Sequence, residues 1–181
     1  MSIERVREYF RQYQMEDRIQ EFDVSSATVE LAAKAVGCEP ARITKTLSFK
    51  VGDKAVLIAA AGDAKIDNSK YKAQFHTKAT MLKPEEVTEL VGHQIGGVCP
   101  FGVKPGTEVY LDVSMRRFDK VYPAAGSANS AIGMSPEELE KYGLSTDPDM
   151  PLSEKLSENH SSWILTYHNE HGIMDWLISQ H

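Results

Sequence analysis

The chain reads as an α+β domain. Apolar residues recur at helical spacing in some stretches and at every second position in others, and a Gly52-Asp53 turn joins two strand-like runs into a hairpin. With 181 residues, 41% of them hydrophobic, the chain can bury a real core as one compact domain.

The elements follow in order. From about Ile3 to Tyr13, Ile3, Val6, Phe10 and Tyr13 share one helical face, with Ser2 as the expected cap. After a short extended link, Ser26 is placed to cap a helix from Thr28 to Val36, and Gly37 stops it. Ile43 to Val51 then alternates: Ile43, Lys45, Leu47, Phe49 and Val51 take one face, and Thr44, Thr46, Ser48 and Lys50 the other. Beyond the turn, the apolar run Ala55 to Ala61 reads as a central strand. Asp67 or Asn68 caps a short helix through Gln74, and Pro84 opens another through Val91, ended by Gly92. Glu108 to Val113 reads as a strand, and a small-residue stretch from Pro123 to Ser130 precedes Ala131 to Met134. The last clear element is a helix from Pro136 to Tyr142, where Ser135 and Glu138 have the spacing of a capping box.

Composition narrows the function classes. The net charge of −6 is unlike that of a protein gripping long nucleic acid through its overall field. Locally, Lys65, Lys70, Lys72, Lys78, Lys83 and His76 face only Asp67, enough basic charge to hold a few phosphates. No apolar run approaches the ~20 residues that cross a membrane, so a cytoplasmic location and no membrane partner are expected. Cys38 and Cys99 lie far apart without a CxxC partner, which fits reduced thiols rather than a disulfide framework or a zinc ribbon. His168 and His171 have metal-compatible spacing, but no further ligand clusters near them; no metal or other cofactor is expected.

Three features carry chemistry. Lys45 occupies the apolar face of its strand, where its ammonium loses hydration unless it sits at a mouth, beside a cavity or against an anion. The segment Gly92-His93-Gln94-Ile95-Gly96-Gly97-Val98-Cys99-Pro100-Phe101-Gly102 allows the backbone close to a ligand, with amides exposed to cradle an oxygen. A second small-residue segment contains Ala124-Ala125-Gly126-Ser127. Within the loop, Cys99 needs an activating base to act as a nucleophile. His93 is an accessory candidate as a base, although a histidine after a helix-ending glycine more often bonds a backbone group.

Lys45-Thr46-Leu47, the Gly92 to Gly102 segment and Ala124-Ala125-Gly126-Ser127 before Leu139 together resemble the YbaK type of aminoacyl-tRNA deacylase. That family is similar to the editing insertion of bacterial prolyl-tRNA synthetase. The resemblance spans roughly Thr28 to Tyr142 and implies a mixed α/β fold, with a central, mostly antiparallel curved sheet and flanking helices. It assigns residues 1–145 to one editing-type domain and leaves 146–181 as a tail. Within that tail the amphipathic Ile164 to Ile178 stretch reads as a packing or dimer helix.

The implied activity is trans-editing: hydrolysis of the ester joining a wrong amino acid to a tRNA's terminal adenosine. The family lysine falls on Lys45, and its Gly-x-x-x-Pro loop on Gly96 to Pro100. Lys45 would orient the terminal phosphate or ribose, with Thr46 as an accessory. Amides around Gly96, Gly97 and Val98 would hold the aminoacyl carbonyl, with Cys99 and Pro100 completing the loop. The attacking water is helped in this family by the tRNA's own ribose hydroxyl.

Ala125, Gly126 and Ser127 would line the substrate pocket, and small residues there imply a small amino acid. Related alanine-editing domains carry a histidine where this chain reads Tyr122-Pro123-Ala124-Ala125-Gly126. Lys70 and Lys72 are the expected contacts to the tRNA acceptor end. A synthetase or an elongation factor is a candidate second partner that supplies tRNA selectivity. The competing reading is a non-catalytic module that binds an aminoacyl-adenosine, a nucleotide or a tRNA end in a regulatory role.

Overall fold

Helix α1 (Ser2–Arg11) buries Ile3, Val6 and Phe10, the face expected from their spacing. The computed structural model of the protein describes residues 2–143 and 163–164. Strand β1 (Ile19–Glu21) follows a 3-10 turn. Helix α2 (Val29–Val36) is capped by Thr28, whose Oγ1 accepts from the Leu31 N–H at 3.2 Å. The expected cap, Ser26, stands too far ahead of the first turn for that bond, and its hydroxyl has no hydrogen-bond partner among the described residues. Gly37, at φ 83°, ends the helix in the left-handed conformation that glycine adopts without a Cβ clash.

Strands β2 (Ile43–Val51) and β3 (Lys54–Ala61) form the hairpin, with Lys45 opposite Ala60. Helix α3 (Asn68–Phe75) is capped by Asp67, and α4 (Pro84–Leu90) carries proline in its first turn. Strand β4 (Glu108–Asp112) is one residue shorter than its apolar alternation suggests. Asp112 Oδ1 accepts from the Ser114 N–H at 3.0 Å, which turns Val113 into a 3-10 helix, Val113–Arg117. Strands β5 (Tyr122–Pro123) and β6 (Ser130–Ile132) precede α5 (Pro136–Gly143). Ser135 and Glu138 close the expected capping box with reciprocal bonds of 3.1 Å.

Two sheets organise the described residues. One pairs β1 with β6; the other has the order β5-β2-β3-β4-β7, where β7 is Trp163–Ile164. The β2–β3 ladder is antiparallel, as its hairpin reading expects, and the β1–β6 pair, in what the sequence offers only as an extended link, is antiparallel too. The shorter β2–β5, β3–β4 and β4–β7 pairings are parallel, so the larger sheet is mixed. Ile164 therefore belongs to an edge strand rather than opening a helix. The rest of the Ile164 to Ile178 stretch, with His168 and His171, lies outside the described residues.

β3 explains its continuous apolar sequence, because both of its faces are covered. Ala55, Leu57, Ala59 and Ala61 join Val6, Phe10, Phe101, Leu111, Ile132 and Leu139 in the main core. Val56 and Ile58 face the other way, with Phe49, Tyr71 and Ile164. The opposite face of β2 is covered in part: Thr44 is 4% and Ser48 5% exposed, while Thr46 is half-buried and Lys50 exposed. A third, smaller cluster packs Ala32 and Ala33 of α2 on Ile43. These layers fix one end of β2 between α2 and the glycine-rich loop.

Candidate active site

The outer edge of β2 is interrupted. Ile43 and Thr44 pair with β5, while Ser48 and Lys50 are bonded by the chain at residues 80–82: Leu82 N–H donates to Ser48 O at 3.1 Å, and Lys50 N–H to Thr80 O at 2.8 Å. Between those two covers, no described strand pairs with the outer edge. Backbone groups alternate in direction along a strand, so the amide and carbonyl of Thr46 point out of this gap. A cavity of about 250 Å³ opens there.

Its walls come from four places in the chain. Lys45 to Ser48 form the strand side; Ser26 to Val29 come from the segment entering α2; Ile95, Gly96 and Val98 come from the glycine-rich loop; and Tyr122, Ala124, Ser130 and Ala131 close the far side. Met81 and Ile95 stand at this cavity 58% exposed each, which gives it an apolar rim. Among the lining residues, Lys45 and Tyr122 are the titratable side chains. The volume suits the end of a small ligand rather than a whole cofactor.

Lys45 is half-buried and its ammonium donates to the carbonyl of Ala64, just past β3. Burial pushes its pKa below the usual lysine range, while the carboxylates of Asp63 and Asp112 oppose that shift. Asp63 is in turn held by Arg117, whose Nη1 donates to Oδ2 at 3.0 Å; this bond holds the Asp63 carboxyl below its ordinary range. The result is a cation at a cavity wall, steadied by a carbonyl and by the field of two acids.

The glycine-rich loop packs against the second small-residue segment backbone to backbone. A Cβ on Gly97 would stand 2.6 Å from Gly126 C and from Ser127 N, closer than real atoms approach. The Gly97 N–H is already used in a turn, donating to Gln94 O at 3.0 Å. Of the three residues expected to hold a carbonyl, Gly96 and Val98 line the cavity and Gly97 supports them from behind.

The remaining candidates divide. Thr46 lines the cavity with Lys45. Ala125 and Gly126 are buried behind the wall, and Ser127 bonds Ser130 Oγ at 2.7 Å; their neighbours Ala124, Ser130 and Ala131 form the lining. Cys99 and Pro100 are buried as well. Cys99 packs in the main core, where desolvation pushes its thiol up to about 12, a poor setting for a thiolate.

His93 is turned away from the cavity and fully buried. Its Nε2 lies 2.8 Å from Phe101 O and its Nδ1 2.7 Å from Ser2 Oγ, so it ties α1 to the loop. With the ring uncharged near neutral pH, Nε2 donates to the carbonyl and Nδ1 is left to accept from the serine hydroxyl. Burial pushes its pKa down to about 4. Lys72 is exposed and Lys70 half-buried on α3. That basic stretch runs on to Met81 at the cavity, although neither lysine lines it.

Reading the sequence missed Ser26, taken for a cap, and Ala27 and Met81, which carry no motif; Leu47 and Ile95 stand inside the quoted motifs but were not singled out as lining residues. Among the described residues no cluster of three or more His, Cys, Asp or Glu side chains has metal-binding geometry. No described helix is long and apolar enough to cross a membrane.

The family model of the aminoacyl-tRNA editing domain matches residues 24–142. An uncharacterized protein of Bacillus subtilis, YwhH, is 54% identical over 80% of this chain and 93% of its own length. A proline–tRNA ligase of a Geobacillus strain is 26% identical over 70% of this chain, which corresponds to 21% of the ligase. Among solved structures, a candidate trans-editing enzyme for prolyl tRNA synthetase superposes with a TM-score of 0.73 at 25% identity, over 93% of this chain and 98% of that one. The family match takes in the lysine strand, the glycine-rich loop and the small-residue segment alike, and the chain belongs to the aminoacyl-tRNA editing domain family.

Proposed function

We propose that the protein is a free-standing aminoacyl-tRNA deacylase that hydrolyses the ester of a mischarged tRNA carrying a small amino acid. The observation that carries this reading is Lys45: a held cation on a cavity wall otherwise made of apolar, hydroxyl and backbone groups, opposite a glycine-rich loop. The family membership and the likeness to a candidate trans-editing enzyme support it.

The chemistry assigned to each group joins its position at the cavity to the role that the family resemblance implies. The Lys45 ammonium draws in the terminal phosphate or ribose and favours negative charge developing on the substrate. The backbone at Gly96 and Val98 faces the aminoacyl carbonyl, and the open edge at Thr46 offers an amide and a carbonyl to the same group. Water adds to the ester carbonyl, the bond to the ribose oxygen breaks, and that oxygen takes up a proton. The products are the free amino acid and a tRNA with its terminal hydroxyls restored. The task of orienting the water is assigned to the neighbouring ribose hydroxyl, as the family resemblance implies, and the described cavity lining holds no carboxylate or imidazole. The cavity volume of about 250 Å³ favours a small amino acid.

The basic segment from Lys65 to Lys83 is assigned to the acceptor stem, and the cytoplasm, where charged tRNA is used, is the expected location. Incubation with tRNAs charged with proline, alanine, serine, threonine and cysteine tests the reading. Ester loss from one of them is expected. Saturable binding without loss of any ester would favour a binding module instead.

A further inference from the structure

The cavity is lined by consecutive residues of β2, every one from Ile43 to Ser48. Side chains alternate between the two faces of a strand, so a cavity that meets them all lies against the strand's edge, not over one face. β3 takes the inner edge, which leaves the outer one. Two covers part from that outer edge on either side of Thr46. β5 ends at Pro123, after which Ala124 turns to pair with Ala131. The chain at residues 80–82 is carried off by Pro84, which opens α4 and has no N–H to give a ladder. Between them, the outward N–H and C=O of Thr46 have no backbone partner among the described residues.

A free donor and acceptor on a strand edge form a template for one more extended residue. In an antiparallel ladder a hydrogen-bonded residue makes both bonds to the residue opposite, its N–H to that C=O and its C=O to that N–H. An aminoacyl ester is such a residue, with an amine and a carbonyl on one Cα. We propose that the aminoacyl group docks on this edge as a single-residue antiparallel bridge, its α-amine donating to Thr46 O and its carbonyl accepting from the Thr46 N–H. The inference rests on the editing reading of the same site and names its substrate class, esters of amino acids with a free α-amine. An acyl group on that amine would run on along the edge towards Ser48, where the Leu82 N–H already holds the carbonyl at 3.1 Å. N-acylated and peptidyl esters are therefore refused, and so are esters of acids that lack the amine.

The test is binding of three non-hydrolysable amides of 3′-amino-3′-deoxyadenosine: alanyl, N-acetylalanyl and propionyl. The alanyl amide is expected to bind at least about tenfold more tightly than either of the others, because one meets the covered edge and the other loses a hydrogen bond from the amine. At saturation it should also slow hydrogen exchange of the Thr46 amide by at least about tenfold. Equal affinities, binding of none of the three, or a Thr46 amide that exchanges as fast as in the free protein would overturn the proposal. No variant has to fold, and no turnover is needed. The alanyl preference without hydrolysis of any charged tRNA would count against the deacylase and leave the bridge standing. Equal hydrolysis of free and N-acetylated aminoacyl-tRNA would remove the bridge and spare the deacylase.

Discussion

Lys45 was legible as an anomaly of polarity: one ammonium in a row of apolar residues. What could not be read was its company, since Ala64, Asp63, Asp112 and Arg117 are brought to it only by the return of β3 and the 3-10 helix after β4. Because burial lowers its pKa, the enzyme-dependent rate is expected to fall on the alkaline side at a pH below the ordinary lysine value of about 10.4. A rate profile corrected for uncatalysed ester loss checks this; no decline up to that pH would contradict a required ammonium.

His93 shows the reverse case, a residue with catalytic chemistry and a structural post. Its pKa of about 4 lies below the 6.5 of an unfolded histidine. As pH falls from 6.5 towards 4 the unfolded chain takes up a proton that the folded one refuses, and stability is lost. The loss is expected to reach about 3 kcal/mol, and His93→Gln should remove most of that pH dependence. Denaturant titrations at pH 7 and pH 4 measure it; parallel pH curves for the two proteins would contradict the buried neutral ring. Ser26 was hidden for a physical reason: serine ahead of a helix has the sequence of a cap, and only the bond made by Thr28 distinguishes the two.

At the scale of elements, long periodic segments were readable and short pairings were not. α1, α2 and the β2–β3 hairpin follow their spacing and stop signals, because their burial is set along the chain itself. β1, β5 and β6, of two or three residues, carry no period; they exist because distant backbone meets them. The two small-residue loops were legible as loops, but their mutual packing was not. Gly97→Ala should force them apart, costing about 1–3 kcal/mol of stability and disturbing the wall at Gly96 and Val98. Thermal unfolding and deacylation of the variant check this; wild-type values for both would contradict the backbone packing.

For the whole molecule, charge and fold meet at the cavity. An acidic chain of net charge −6 carries its basic stretch on the segment that runs through α3 to Met81 at the cavity rim. Charge reversal, Lys70→Glu with Lys72→Glu, is expected to raise the apparent KM for charged tRNA more than it lowers kcat. It should also flatten the salt dependence by about one unit of log-log slope for each phosphate that the variant no longer neutralises. An unchanged KM at low salt would leave these lysines as solvated surface. The editing reading of the cavity turns on hydrolysis that depends on Lys45, and multiple-turnover ester loss from charged tRNA, wild type against Lys45→Ala, measures that dependence. The expected result is many esters cleaved per wild-type chain and a rate lower by about 10²–10³-fold in a variant that unfolds like the wild type. Equal rates in the two proteins would remove Lys45 from the mechanism and leave the cavity without its catalytic cation.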